Sequence, residues 1–202
     1  MSVVLVDSGG ANIGSVRYAL QRLGVEAALT ADPETIRKAD RVILPGVGTA
    51  APAMARLREA GLVEVLRGLT QPVLGVCLGM QLLCTHSDEG DVDGLGVIDA
   101  AVRRLRGGDG LRVPHMGWNQ VRGMMPHPLC AGDAGNGWAY FVHGYAVPVC
   151  AATLATCEHG QTFSAAIGRA NFMGVQYHPE RSAALGMAVL RNFLAWRWRT
   201  LA

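Results

Sequence analysis

The stretch from Pro72 to Cys84 constrains the fold most. Val73, Leu74 and Val76 form a short apolar run that reads as a buried strand, and Leu78 to Cys84 continues in helix-compatible residues. Cys77 stands at the junction, with Gly75 and Gly79 two residues to either side. A sharp strand-to-helix turn needs small neighbours, because side chains there would collide with the turn or block approach to its tip. The spacing is that of a nucleophile elbow, with sulfur where hydrolases often carry serine. It aims Cys77 at a helix N-terminus, whose amides and dipole favour thiolate over thiol. A buried, inert cysteine closing an ordinary strand fits the same segment.

The flanking chain repeats this order of elements. Val3 to Val6 reads as a buried strand ending at Asp7, and Ile13, Val16, Leu20 and Leu23 recur at helical spacing until Gly24. Gly9, Gly10 and Gly14 between them do not fit G-x-G-x-x-G, so a plain turn is preferred to a dinucleotide loop. Val25 to Leu29 is a second strand. Asp32, Pro33 and Glu34 start a helix with a cap, a proline at the first position and an early acid. Arg41 to Pro45 is a third strand, helices follow from Ala50 to Gly68 with a break near Gly61, and the Cys77 strand is the fourth. Strands alternating with helices predict an α/β fold, a mostly parallel sheet flanked by helices.

After about residue 88 the helical period is lost. Short β-like runs at 97–105, 111–113, 138–142, 153–157, 163–167 and 172–177 predict additional antiparallel strands, and residues 183–198 a last helix. Trp196 and Trp198 suit a core edge or a partner surface. No linker or repeat appears, so residues 1–202 are expected to form a single domain.

Composition narrows the function. A net charge of +2 with no basic run speaks against nucleic acid. Five cysteines, odd in number and irregular in spacing, argue against a disulfide framework, and no CxxC pair suggests a zinc site. No metal and no cofactor is expected. Neither a signal peptide nor an apolar run of membrane length is apparent, so a reducing cytoplasm is the expected setting.

Two further segments suit thiol chemistry. An apolar strand ends in His178, Pro179 and Glu180. A nucleophilic thiol needs a base beside it and a third group to orient the base. Residues i and i+2 of an extended segment share a side, so Glu180 could hold one imidazole nitrogen of His178 while the other faces Cys77. A strand-end histidine with a solvated acid is the alternative. Pro45, Gly46, Val47 and Gly48 leave a strand end beside the Cys77 strand; their bare amides, with that of Leu78, could meet a developing oxyanion. They also fit a simple turn. His86, His127 and His159 look like surface residues. Residues 114–119 and 141–145 read as loops dense in aromatics, His and Gly, of the kind that line sites or cover cores.

Together these residues resemble the class I, triad-type glutamine amidotransferases. Gly75 to Gln81 resembles that family's nucleophile motif, and Val175 to Glu180 its His/Glu motif. The segments at 45–48, 114–119 and 141–145 are similar to signatures of one branch, the glutaminase subunits of imidazole glycerol phosphate synthase, of histidine biosynthesis. The resemblance covers essentially the whole chain. It implies the class I amidotransferase fold, flavodoxin-like in its parallel part, and a Cys77–His178–Glu180 triad acting on L-glutamine. Val47, Gly48 and Leu78 would form the oxyanion hole. Gly46, Gln81, His143, Gly144 and Tyr145 would hold the glutamine. Ammonia would pass through a tunnel to a separate (β/α)₈ cyclase subunit, the two forming a heterodimer with Asn12, Trp118, Tyr140 and Arg181 at the interface.

Three positions depart from the pattern. Arg181 stands where lysine is usual, Gly144 replaces a hydroxyl residue, and the loop from Asp7 to Asn12 differs from the commoner Asp-Tyr-Gly-x-Gly-Asn form. A guanidinium pairs with a carboxylate in a different geometry from an ammonium. A glutaminase serving another synthase, and a non-enzymatic flavodoxin-like module with an inert or redox-sensing Cys77, remain the alternatives.

Overall fold

The first strand, β1 (Val3–Val6), is buried at every position, and its side chains alternate between two separate cores. Val3 and Leu5 enter one, Val4 and Val6 the other. That is the signature of a sheet covered on both faces. The computed structural model describes residues 1–9, 13–46, 48–108 and 110–198. Asn12 and Val47, expected at the interface and the oxyanion hole, lie outside the described residues.

The remaining strands are β2 (Ala27–Thr30), β3 (Arg41–Leu44), β4 (Val73–Val76), β5 (Cys84–Ser87), β6 (Val92–Asp93), β7 (Ile98–Arg104), β8 (His115–Gly123), β9 (Asn136–His143), β10 (Tyr145–Ala146), β11 (Thr153–Glu158), β12 (Thr162–Arg169) and β13 (Phe172–Val175). The helices are α1 (Ile13–Arg22), α2 (Pro33–Lys38), α3 (Ala50–Glu59), α4 (Leu62–Arg67), α5 (Leu78–Leu82) and α6 (Ala183–Ala195). A nine-stranded sheet runs β2-β1-β3-β4-β13-β12-β11-β8-β9. It is parallel from β2 to β13 and antiparallel from β13 to β9. A small second sheet runs β10-β7-β5-β6. The expected α/β architecture, parallel first and antiparallel in the C-terminal half, is the one observed.

Apolar faces decide which side each helix covers. Val16, Ala19 and Leu20 of α1 join Leu185, Val189 and Phe193 of α6 in the first core. Ile36 of α2, Met54 and Leu57 of α3 and Leu62 and Leu66 of α4 fill the second. Asp32 caps α2 by accepting the Thr35 amide at 2.8 Å.

Several expectations need correction. The run from Leu78 to Cys84 is not helical throughout: α5 stops at Leu82 and Cys84 opens β5. The carbonyls of Leu82, Leu83 and Cys84 are taken by amides of Leu95, Gly96, Val97 and Ile98, so a non-local partner replaces the next helical turn. Residues 111–113 form no strand; Leu111 makes only a single bridge to Gly108. The expected loops at 114–119 and 141–145 are mostly strand, since β8 and β9 pair from His115↔His143 to Arg122↔Asn136. The last helix ends at Ala195, not Trp198, where the Arg41 guanidinium caps it by donating to the carbonyls of Phe193 and Trp196. Trp196 packs on the core edge, with Trp198 5.6 Å from it.

Candidate active site

The carboxyl ends of β3, β4 and β13 meet at one edge of the parallel region. Open α/β sheets bind their ligands at such an edge. β4 delivers Cys77 there in a backbone conformation that residues with a Cβ rarely adopt, φ 53° and ψ −112°. Such a residue costs about 1–3 kcal/mol and persists because its surroundings impose it. Four glycines make the elbow possible. A Cβ on Gly79 would lie 1.8 Å from the Leu44 carbonyl oxygen, and one on Gly75 would lie 2.6 Å from that of Gly79. A Cβ on Gly46 would lie 2.4 Å from the Gly79 amide, and one on Gly174 would lie 2.5 Å from Met80 Cγ. Bare backbone therefore lets α5 start directly against β3 and β13.

β13 runs parallel beside β4, and the chain beyond it brings His178 to the Cys77 sulfur. The Cys77 and His178 side chains are both almost wholly buried. His178 Nδ1 lies 2.9 Å from Glu180 Oε1, and the Glu180 side chain is only 1% exposed. Burial by itself would lower the His178 pKa. Its interactions with the sulfur and with the Glu180 carboxylate outweigh that and push it up to about 10. The turn is held from β9: the His178 amide donates to the Tyr140 carbonyl at 2.9 Å, and buried Ser182 Oγ accepts the Tyr140 amide while donating to the His178 carbonyl.

A cleft of about 200 Å³ opens in front of the sulfur, lined by Gly48, Leu78, Gln81, Glu89, Pro114, Val142, His143, Gly144 and Tyr145. Gly46 does not line it and packs behind, against Leu78 and Gly79. Gly48 enters the wall at φ 92°, a conformation open to glycine. The Tyr145 carbonyl anchors two polar rows. It accepts Gln81 Nε2 at 2.9 Å and His143 Nδ1 at 2.8 Å. With its Nδ1 proton committed there, His143 presents Nε2 as an acceptor to His115 Nδ1, 3.2 Å away. His115 Nε2 in turn accepts from Asn119 Nδ2 at 3.2 Å. Both imidazoles are thereby neutral. Burial pushes His115 down to about 4 and His143 to about 3, helped by the other histidines nearby.

Two site residues escape sequence reasoning. Glu89 stands in the cleft wall and accepts the Ala50 amide at 3.0 Å, and burial raises its carboxyl above the usual range. In sequence it is one acid in an acidic turn. Gln176 is fully buried, its Nε2 3.8 Å from Cys77 Sγ. Only its i−2 relation to His178 hints at this. His159, read as a surface residue, stacks on His115 at 4.1 Å. His127 is half-buried and accepts the Leu129 amide at 3.1 Å. His86 bridges Asp91 and Asp93 at the surface.

Trp118, Tyr140 and Arg181 form one patch. The Trp118 and Tyr140 rings meet edge-on at 6.1 Å, and the Arg181 guanidinium sits 4.5 Å above the Tyr140 ring. All five cysteines are free. Among the described residues, no group of three or more His, Cys, Asp or Glu could hold a metal, and no helix is long and apolar enough to cross a membrane.

Fold and site define an α/β enzyme with a cysteine nucleophile elbow, and family comparison names the class. The model of the family "Glutamine amidotransferase class-I" matches residues 4–196, so the chain belongs to the class I glutamine amidotransferases. At closer range it is similar to proteins named imidazole glycerol phosphate synthase subunit HisH. The one from Xanthomonas campestris pv. campestris is 56% identical over 192 residues, 95% of this chain and 96% of the relative. The one from Xylella fastidiosa strain Temecula1 is 54% identical over the same shares. Among solved structures, a glutamine amidotransferase superposes with a TM-score of 0.74 at 21% identity, covering 96% of this chain and 97% of that one. Another, from Thermotoga maritima, gives 0.65 at 17%, covering 96% and 82%. These two support the fold alone.

Proposed function

We propose that this chain is the glutaminase subunit of an imidazole glycerol phosphate synthase, acting as one amidotransferase domain over residues 1–202 in the cytoplasm. The observation that carries the reading is a strained Cys77 facing a His178 that is bound to buried Glu180, at a cleft shaped for one small polar molecule. The relatives named HisH support the particular synthase.

Cys77 Sγ attacks the side-chain amide carbon of L-glutamine. Leu78 and Gly48 supply amides toward the oxyanion, each such donor typically worth about 3–4 kcal/mol of barrier. His178, oriented by Glu180, protonates the leaving nitrogen, and ammonia departs from a γ-glutamyl thioester. Water activated by the same imidazole then releases glutamate. Glu89 meets the α-ammonium of glutamine, since its carboxylate is the acid that lines the cleft. Gln81, His143, Gly144 and Tyr145 shape the remaining wall. Ammonia passes to a (β/α)₈ cyclase subunit seated on the patch of Trp118, Tyr140 and Arg181.

The test is glutamate release by the chain alone and with a cyclase subunit carrying its nucleotide ligand. Glutamate release that requires Cys77, with Cys77→Ala still supporting synthesis from added ammonia, is the expected result. Glutamine-dependent synthesis retained by Cys77→Ala overturns the mechanism. Activation by a different synthase and not by the cyclase overturns the assignment of partner.

A further inference from the structure

Gln176 lies in the bend that follows β13, two residues before His178, and both side chains reach the Cys77 sulfur. It is wholly buried, and its amide donates to the Ala165 carbonyl at 2.9 Å, which ties it to β12. The hydrogen bonds around it have a forced direction. The Tyr145 carbonyl only accepts, so the Gln81 side-chain atom 2.9 Å from it is the amide nitrogen. That nitrogen lies 2.9 Å from one terminal atom of Gln176, which must be the carbonyl oxygen. The other terminal atom, 3.8 Å from Cys77 Sγ, is then the amide nitrogen. Polarity set at a backbone carbonyl thus delivers an N–H to the sulfur. From another side the Val142 carbonyl oxygen stands 3.9 Å from the sulfur and opposes negative charge there.

We propose that Gln176 is a positioning residue of the glutaminase site: its N–H stabilises Cys77 as thiolate and aims the sulfur, while its carbonyl fixes the Gln81 side chain in the cleft wall. The proposal rests on Cys77 being the nucleophile. The titratable groups around the sulfur are His178, with Glu180 behind it, and His143, Tyr145 and Glu89 in the same cleft. Gln176 is uncharged at every pH, so replacing it by a neutral residue adds no titration of its own.

The experiment is alkylation of Cys77 by iodoacetamide as a function of pH in the full chain, read by peptide mass spectrometry so that the other four cysteines do not contribute. Glutamate release in the presence of the cyclase partner is measured in parallel. Gln176→Met removes the donor at similar volume. Gln176→Glu keeps an acceptor for Gln81 but puts a carboxylate oxygen at the sulfur. A hydrogen bond to a charged group predicts an alkylation midpoint raised by about one pH unit in Gln176→Met, and further in Gln176→Glu. kcat falls about tenfold and KM for glutamine moves less. A folded Gln176→Met with an unmoved midpoint overturns the proposal, because a merely structural side chain would lower the melting temperature and leave the midpoint alone. If the Met variant does not fold, an unmoved midpoint in Gln176→Glu overturns it equally. A wild-type chain that never releases glutamate removes the glutaminase reading as well, whereas an active wild type with unmoved variants removes only the role of Gln176.

Discussion

His178 and the pair His115 and His143 are buried imidazoles pushed in opposite directions, and the reason is what faces them. His178 meets a sulfur and a carboxylate, and its pKa is raised to about 10, so it holds its proton at neutral pH. A raised value stabilises the fold below the ordinary 6.5, and that contribution is lost as pH rises through about 10. NMR titration of the His178 ring should find imidazolium at neutral pH and a lower titration point in Glu180→Gln, with glutaminase activity down about a hundredfold. A wild-type ring titrating near 6.5 would refute the ion-pair reading. His115 and His143 face each other and aromatic rings, and are driven to about 4 and 3. A depressed value works the other way: the unfolded chain takes up protons first, so stability declines as pH falls from 6.5 toward 4. Thermal melts across that window should show a shallower pH dependence for His115→Phe, which keeps the stacking on Phe141 and removes one titrating ring. Equal slopes would mean that the His115–His143 pair contributes nothing to acid sensitivity. Cys77, His178 and Glu180 were legible in the sequence because their chemistry is tied to short motifs. Glu89 and Gln176 were not, because a lone acid in a turn and a strand glutamine acquire meaning only from what folds against them.

At the scale of elements, periodicity located most helices and strands within a few residues. It failed where a distant partner supplied the hydrogen bonds. α5 ends early because residues 95–98 take its trailing carbonyls. β8 was hidden because its residues, with two glycines and a single histidine and tryptophan among polar side chains, are held by cross-strand pairing with β9 and show no simple apolar face. The elbow depends on glycines whose hydrogens touch backbone. Gly79→Ala would place its Cβ 1.8 Å from the Leu44 oxygen, and overpacking against rigid backbone should cost about 3 kcal/mol. Gly14→Ala in α1 meets only Tyr18 at 3.9 Å and should be neutral or stabilising, by up to about 1 kcal/mol from helix propensity. Denaturant unfolding of the two variants checks the contrast, and equal midpoints would show that the elbow relaxes freely.

At the scale of the molecule, the exposed patch and the buried cluster of Cys77, His178 and Glu180 are joined through β9. Tyr140 contributes its ring to the patch, while its backbone N–H and carbonyl are bound by Ser182 and His178. Arg181 follows Glu180 directly, so one short turn carries both the buried carboxylate and the exposed cation. Arg181→Glu should weaken binding of the cyclase subunit by tenfold or more, about 1.4 kcal/mol, with the melting temperature of the free chain unchanged. Unchanged affinity by calorimetry would move the docking face elsewhere.

The sequence by itself determined the alternation of strand and helix and the sharp turn at Cys77, and it put Cys77, His178 and Glu180 forward together, because apolar period, glycine spacing and short motifs are local properties. The extended i, i+2 pairing expected of His178 and Glu180 is replaced by a 3-10 turn over Pro179–Arg181. Tertiary structure decided which strands adjoin, hence that β13 brings His178 beside Cys77, and which direction the buried hydrogen bonds run. Those outcomes depend on partners far apart in the chain, 99 residues between Cys77 and Gln176 and 102 between Leu69 and Asn171, and no local pattern encodes them.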